Sequence, residues 1–110
     1  ELLLCGHSHV PRVLQIDGGP LVVNPGSVGL QAYDDGDPHT HWVENGSPHA
    51  RWALLERDAA GAWHVALQAT AYDCGVAAAR AEAHGRGDWA DALRQGRVGR
   101  TEAEVLAGSV

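Results

Sequence analysis

The sequence predicts an α/β chain in which strands come first and helices last. Three observations predict it. Short apolar or alternating runs bounded by Gly, Pro, Asn and Asp fill residues 1–72. From Asp73 onward the composition turns alanine-rich, with apolar residues at helical spacing. The punctuation changes as well, from turn clusters such as Asp17-Gly18-Gly19 to single helix-stopping glycines such as Gly96. Residues 1–72 are therefore read as a β part and residues 73–110 as a helical tail.

Leu2 to Cys5 is too short for a helix and entirely apolar, so it reads as a fully buried strand. Arg12 to Asp17 reads as a second strand, folded back through Asp17-Gly18-Gly19 onto Pro20 to Asn24. Asn24-Pro25-Gly26-Ser27 ends that third strand, because the residue before proline is held extended and Gly26 permits a sharp turn. Gln31 to Pro48 is the most polar stretch and is rich in breakers. A solvated surface loop is the reading we favour there, and a rim loop carrying His39, His41 and Trp42 to a site is the alternative. A further metal site at His39 and His41 is the weaker option. Arg51 to Arg57 and Trp63 to Tyr72 form a second hairpin, with His64 as a cross-strand surface residue.

In the tail, Asp73 is placed to cap a helix through about His84, with Val76, Ala79, Arg80 and Ala83 on one face. Gly85-Arg86-Gly87 breaks it. Asp88 is expected to cap the next helix, which carries Trp89, Ala92 and Leu93 to a stop at Gly96. Thr101-Glu102-Ala103-Glu104 has the spacing of a capping box, so a last short helix reaches about Ala107.

Chemistry concentrates at Gly6-His7-Ser8-His9-Val10-Pro11. Gly6 lets the backbone turn, and the two histidines leave the carboxyl end of a strand, where α/β proteins place ligands. Neutral imidazole is the commonest nitrogen ligand of transition metals. A bare His-x-His is weak evidence in a chain with seven histidines. Followed by Asn24-Pro25-Gly26-Ser27, it becomes half of a two-part signature. The Asn24–Ser27 loop is expected to pack beside the histidine loop and buttress it.

Gly-His-Ser-His followed by Asn-Pro-Gly-Ser resembles the carboxyl-terminal part of the calcineurin-like metallophosphoesterase superfamily, in its small bacterial and archaeal branch. Ser8 stands where that family usually has Thr and keeps the hydroxyl. Ala71-Tyr72-Asp73 and Leu93-Arg94-Gln95-Gly96-Arg97 are also similar to the family's tail, so the resemblance runs through most of the chain. It implies that the strands belong to a two-sheet α/β sandwich followed by short helices. It implies a centre of two divalent metal ions (Mn, Zn, Ni or Fe), with His7 on one ion and His9 on the other. Asn24, Ser27 and Arg12 are the candidates for supporting that centre or touching substrate. The implied activity is hydrolysis of a small-molecule phosphoester, as a phosphatase or phosphodiesterase. The family's remaining ligands lie on an Asp-x-His, a Gly-Asp and a Gly-Asn-His that come before the histidine loop, and none of the three precedes it here. The chain is accordingly read as the end of a longer catalytic domain, inactive by itself. A non-catalytic metallophosphoesterase-like scaffold or interaction module is the alternative, and a fragment that does no work alone is a third reading.

Composition narrows the field. With 110 residues the chain is one small domain at most. It has no Lys, no Phe and no Met, so its core must rest on Leu, Val and four Trp. A net charge of −6, with scattered arginines, offers no basic stripe for nucleic acid. No run is long enough to span a bilayer, and the default location is cytoplasmic. Cys5 and Cys74 are far apart and are expected to be reduced and buried rather than bridged.

Overall fold

The computed structural model describes residues 1–108. Alternating and apolar runs of the first part become seven strands: β1 (Leu2–Leu4), β2 (Arg12–Gln15), β3 (Leu21–Asn24), β4 (Ala32–Asp35), β5 (His41–Glu44), β6 (Ala50–Arg57) and β7 (Trp63–Thr70). Three helices follow, α1 (Cys74–Ala83), α2 (Gly87–Gln95) and α3 (Glu102–Leu106). The chain is mixed α/β, as its sequence order of patterns requires. The strands are divided among three small sheets: β1-β3-β2, β4-β5 and β6-β7.

In the first sheet β3 is central. It runs parallel to β1, with Leu3 opposite Val22, and antiparallel to β2, with Leu14 opposite Val22. Asp17-Gly18-Gly19 closes the β2–β3 hairpin: Gly18 is at φ +67°, and Ile16 and Pro20 bond across it at 3.1 Å. The β6–β7 hairpin also forms as read. Glu56 pairs with His64 across it, and Asp58 holds the turn by accepting from the amides of Ala60 and Ala62, each at 2.9 Å. His64 lies on the surface, 2.7 Å from Asp58.

Several expectations are corrected. β1 is not a buried strand, because Leu3 and Leu4 are 52% and 62% exposed. Cys5 is an exposed thiol and Cys74 a half-buried one, and both are free. The reason is the chain's shape. Its radius of gyration is 16.5 Å, against about 13 Å for a compact domain of this length, and its thinnest dimension is 19 Å. So few layers leave little to cover the first sheet. The polar stretch 31–48 is not a solvated loop. Gln31 and Ala32 are buried, and β4 and β5 pair as a hairpin with Tyr33 opposite Val43.

A buried cluster lies in the helical tail, where Ala78, Ala90 and Leu93 are covered by Ala77, Ala81 and, from the β part, Leu30; Val23 of β3 and Ala32 of β4 are buried as well. The expected face of α1 is therefore wrong: Ala78, not Val76, turns inward, and Val76 is 65% exposed. Close approach of two helices favours the alanine side over the valine. Asp73 precedes α1 without making a side-chain cap bond. Asp88 is likewise not the cap of α2. Arg86 takes that position, and Asp88 lies inside the first turn, paired with the Arg86 guanidinium at 2.8 and 3.0 Å. Gly96 does end α2, left-handed at φ 67°, and a Cβ there would collide with the Ser47 backbone. The capping box of Thr101 and Glu104 is present in full at α3. Arg100 ties the tail together through Asp91 and Glu82, with bonds of 2.9 to 3.0 Å. Residues 109–110 of the helical tail lie outside the described residues. No helix among the described residues is long and apolar enough to cross a membrane.

Candidate functional site

β1 ends at Leu4, and the chain then turns through Gly6 into the histidine loop. His7 and His9 have positive φ values of 77° and 63°, the left-handed region that side-chain-bearing residues rarely occupy. Two such residues separated by one are held there only if the surroundings fix the loop. The fixing groups are identifiable. Asn24, 7% exposed at the end of β3, donates from Nδ2 to the Gly6 carbonyl at 3.2 Å and to Ser8 Oγ at 3.1 Å. Its Oδ1 accepts from the Gly26 amide at 3.0 Å, so one side chain holds both loops. Tyr33 donates its hydroxyl hydrogen to the Ser8 carbonyl at 3.0 Å. Asn45 donates from Nδ2 to the His9 carbonyl at 2.9 Å and to Gln31 Oε1 at 2.8 Å.

The two imidazoles line one open cavity of about 590 Å³. The His9 ring meets Tyr33 edge-on, with centroids 5.4 Å apart. His9 Nδ1 lies 2.9 Å from the Leu30 carbonyl. A carbonyl only accepts, so Nδ1 carries the hydrogen, and in the neutral ring the lone pair is then on Nε2. This is how metal-binding histidines are commonly oriented by a backbone group. The donor chemistry thus fits the role of a metal ligand at His9, and His7 is exposed beside it. A complete ligand set is not assembled: among the described residues no group of three or more His, Cys, Asp or Glu could hold an ion. That holds even though Asp37-Pro38-His39 has the Asp-x-His spacing.

The other sequence-derived candidates are placed unequally. Asn24 buttresses the histidine loop, as the motif led us to expect. Ser27 does not line the histidine cavity. The Ser27 carbonyl accepts from the Arg51 amide at 2.9 Å and from the Gln31 side chain, and its hydroxyl accepts from the Gly29 amide at 3.2 Å. Arg12 is opposite Asn24 in the sheet and lines a different, smaller cavity of about 240 Å³ with Ser8, Asn24 and Leu14. It does not line the histidine cavity.

The residues that sequence reasoning missed belong to the β4–β5 hairpin. Tyr33, Asp35 and Asp37 line the histidine cavity, together with His41, which the rim alternative had named. The rim reading of residues 31–48 is met at His41 alone: His39 does not line the histidine cavity, and Trp42 lines a separate one beside α3. An available signal was the alternation His41-Trp42-Val43-Glu44, whose partly buried and exposed side chains follow strand period. Comparison with known proteins adds no relative: no family model, no curated protein and no solved structure matches this chain.

Proposed function

We propose that the chain supplies the histidine-bearing part of a metallophosphoesterase centre and that the assembled site hydrolyses small-molecule phosphoesters. The observation that carries this is His9, whose Nδ1–H is committed to the Leu30 carbonyl while its Nε2 stays free on a cavity it shares with His7. His7 and His9 would each serve one of two divalent ions, and further ligands would come from polypeptide outside these 110 residues. The three small sheets are, on this reading, parts of a two-sheet sandwich completed by that polypeptide. Parallel strands such as β1 and β3 are normally covered on both faces, and the exposure of Leu3 and Leu4 accords with such a cover.

Bound metal ions supply charge neutralisation of the phosphate and a water acidified toward hydroxide. This chain's own groups do the positioning. Leu30 fixes the tautomer and tilt of His9. Asn24, Tyr33 and Asn45 hold the loop backbone at Gly6, Ser8 and His9, so the two imidazoles keep their spacing without reorganising when substrate binds.

The test is hydrolysis of 4-nitrophenyl phosphate with Mn²⁺, Ni²⁺ or Zn²⁺ by the polypeptide that carries the remaining ligands. His7→Ala or His9→Ala should remove most of that activity and lower bound metal. Full activity and full metal content in the doubly substituted protein would refute the assignment. The 110-residue chain alone should be inactive. A non-catalytic scaffold is the second reading, favoured by the absence of a three-ligand group among the described residues and by the exposed Leu3, Leu4, Leu14 and Ile16. Retained partner binding in a protein that never hydrolyses ester would select it.

A further inference from the structure

His9 is held by two residues whose own anchors lie on the helical tail. Its ring nitrogen Nδ1 is 2.9 Å from the Leu30 carbonyl, and its backbone carbonyl accepts from Asn45 Nδ2 at 2.9 Å. The Leu30 side chain packs against the cluster of Ala78, Ala90 and Leu93 in α1 and α2. Asn45 sits between two residues bonded to the link that follows α2. Glu44 Oε2 accepts from the Val98 amide at 2.8 Å, and the Gly46 amide donates to the Gly96 carbonyl at 2.8 Å. The link is itself tied to α2, because the Gly96 amide donates to the Ala92 carbonyl at 2.8 Å and the Arg100 amide to Asp91 Oδ2 at 2.8 Å.

Strand alternation places the β4–β5 hairpin between the two regions. The Tyr33–Val43 pair lines the histidine cavity, and the next pair, Asp34–Trp42, lines a cavity with Thr101 and Leu106. Asp34 Oδ1 accepts from the Glu102 amide at 3.0 Å. We propose that the helical tail positions His9, with Leu30 and Glu44 as the positioning residues that carry its hold to the histidine loop. A left-handed His9, at φ 63°, needs surroundings that fix it. A two-stranded hairpin is marginal by itself in water, so the rigidity comes from the tail to which β4 and β5 are fastened. Glu44 does not line the histidine cavity, so its effect on His9 passes through Asn45. The inference rests on the metallophosphoesterase reading only for the purpose that the positioning serves.

The test follows the imidazole nitrogens of the metal-free 110-residue chain by long-range ¹H–¹⁵N NMR, together with amide exchange. Glu44→Ala removes the bond to the Val98 amide, and Glu44→Gln keeps an oxygen to accept it. Leu30→Ala removes the apolar anchor but leaves the carbonyl, and Leu30→Met refills the space. Both alanine variants should shift the His9 ring nitrogens. They should also speed exchange of the Val10 amide about five-fold, the worth of one hydrogen bond, while amides of β6 and β7 keep their parent rates. Glu44→Gln and Leu30→Met should restore the parent values. His9 signals and Val10 exchange unchanged in both alanine variants would overturn the proposal. So would equal acceleration in β6 and β7, which marks a general loss of stability. Zn²⁺ that perturbs neither His7 nor His9 in the parent, with His9 still moved by Glu44→Ala, would remove the metal reading and support the positioning by the tail.

Discussion

Replacing Asn24 by Ala tests whether one buried amide organises the candidate site. The side chain is 7% exposed and makes three hydrogen bonds, at 3.2 Å to the Gly6 carbonyl, 3.1 Å to Ser8 Oγ and 3.0 Å from the Gly26 amide. A typical intramolecular bond contributes about 1 kcal/mol net, and the two bonds donated by Nδ2 are long enough to belong at about half that. The Gly26 amide loses its partner in a half-buried turn, which adds about 1 kcal/mol. The expected loss is therefore about 2 kcal/mol, measured by urea unfolding as a lower midpoint at constant slope. The loss should be local as well as global. Amide exchange should accelerate first at Ser8, Val10 and Gly26, whose amides bond within these two loops. A double-mutant cycle with Ser8→Ala isolates the Asn24–Ser8 contact and should give a coupling of about 0.5 kcal/mol. A loss below about 0.5 kcal/mol for Asn24→Ala, with exchange at Ser8 unchanged, would show that the loop is held without it.

Gly96→Ala should destabilise the chain by more than about 2 kcal/mol, because the position combines φ 67° with a Cβ site occupied by the Ser47 backbone. A thermal melt within 1 °C or so of the parent would contradict this. Asp91 is held below the usual carboxylate range by its hydrogen bonds to Arg100, against a smaller opposing effect of burial. A depressed folded value means that stability is fully present above about pH 4 and is lost as pH falls through the lower, folded value. Asp91→Asn should therefore flatten the stability–pH curve below about pH 4, and an unchanged curve would refute the link. Tyr33→Phe should leave the hairpin paired but free the Ser8 carbonyl, raising amide exchange in the histidine loop without altering exchange in β6 and β7. Equal acceleration everywhere would mean that Tyr33 stabilises the fold as a whole.

Sequence alone determined what is encoded locally. The hairpins at Asp17-Gly18-Gly19 and Asp58 to Gly61 follow from turn residues flanked by strand-period runs, and each side of each turn carries its own signal. The end of α2 at Gly96 and the capping box at Thr101 follow from backbone geometry that few residues satisfy. The contact of Asn24 with the histidine loop was legible because both motifs flank strands that pair directly. Tertiary structure decided the rest. Whether Leu3 and Leu4 are covered depends on layers that an apolar run cannot specify by itself. The inward face of α1 was set by how closely α2 can approach, so Ala78 displaced the larger Val76. The assignment of Tyr33, Asp35, Asp37 and His41 to the histidine cavity, with Arg12 left on another, came from folding the 31–48 hairpin against residues 6–10. That packing is fastened by polar bonds, Tyr33 to Ser8 and Asn45 to His9. Hydrogen bonds of this kind join residues 25 and 36 positions apart and leave no periodicity in the chain, so the docking of so polar a stretch emerges only when its partners meet in space.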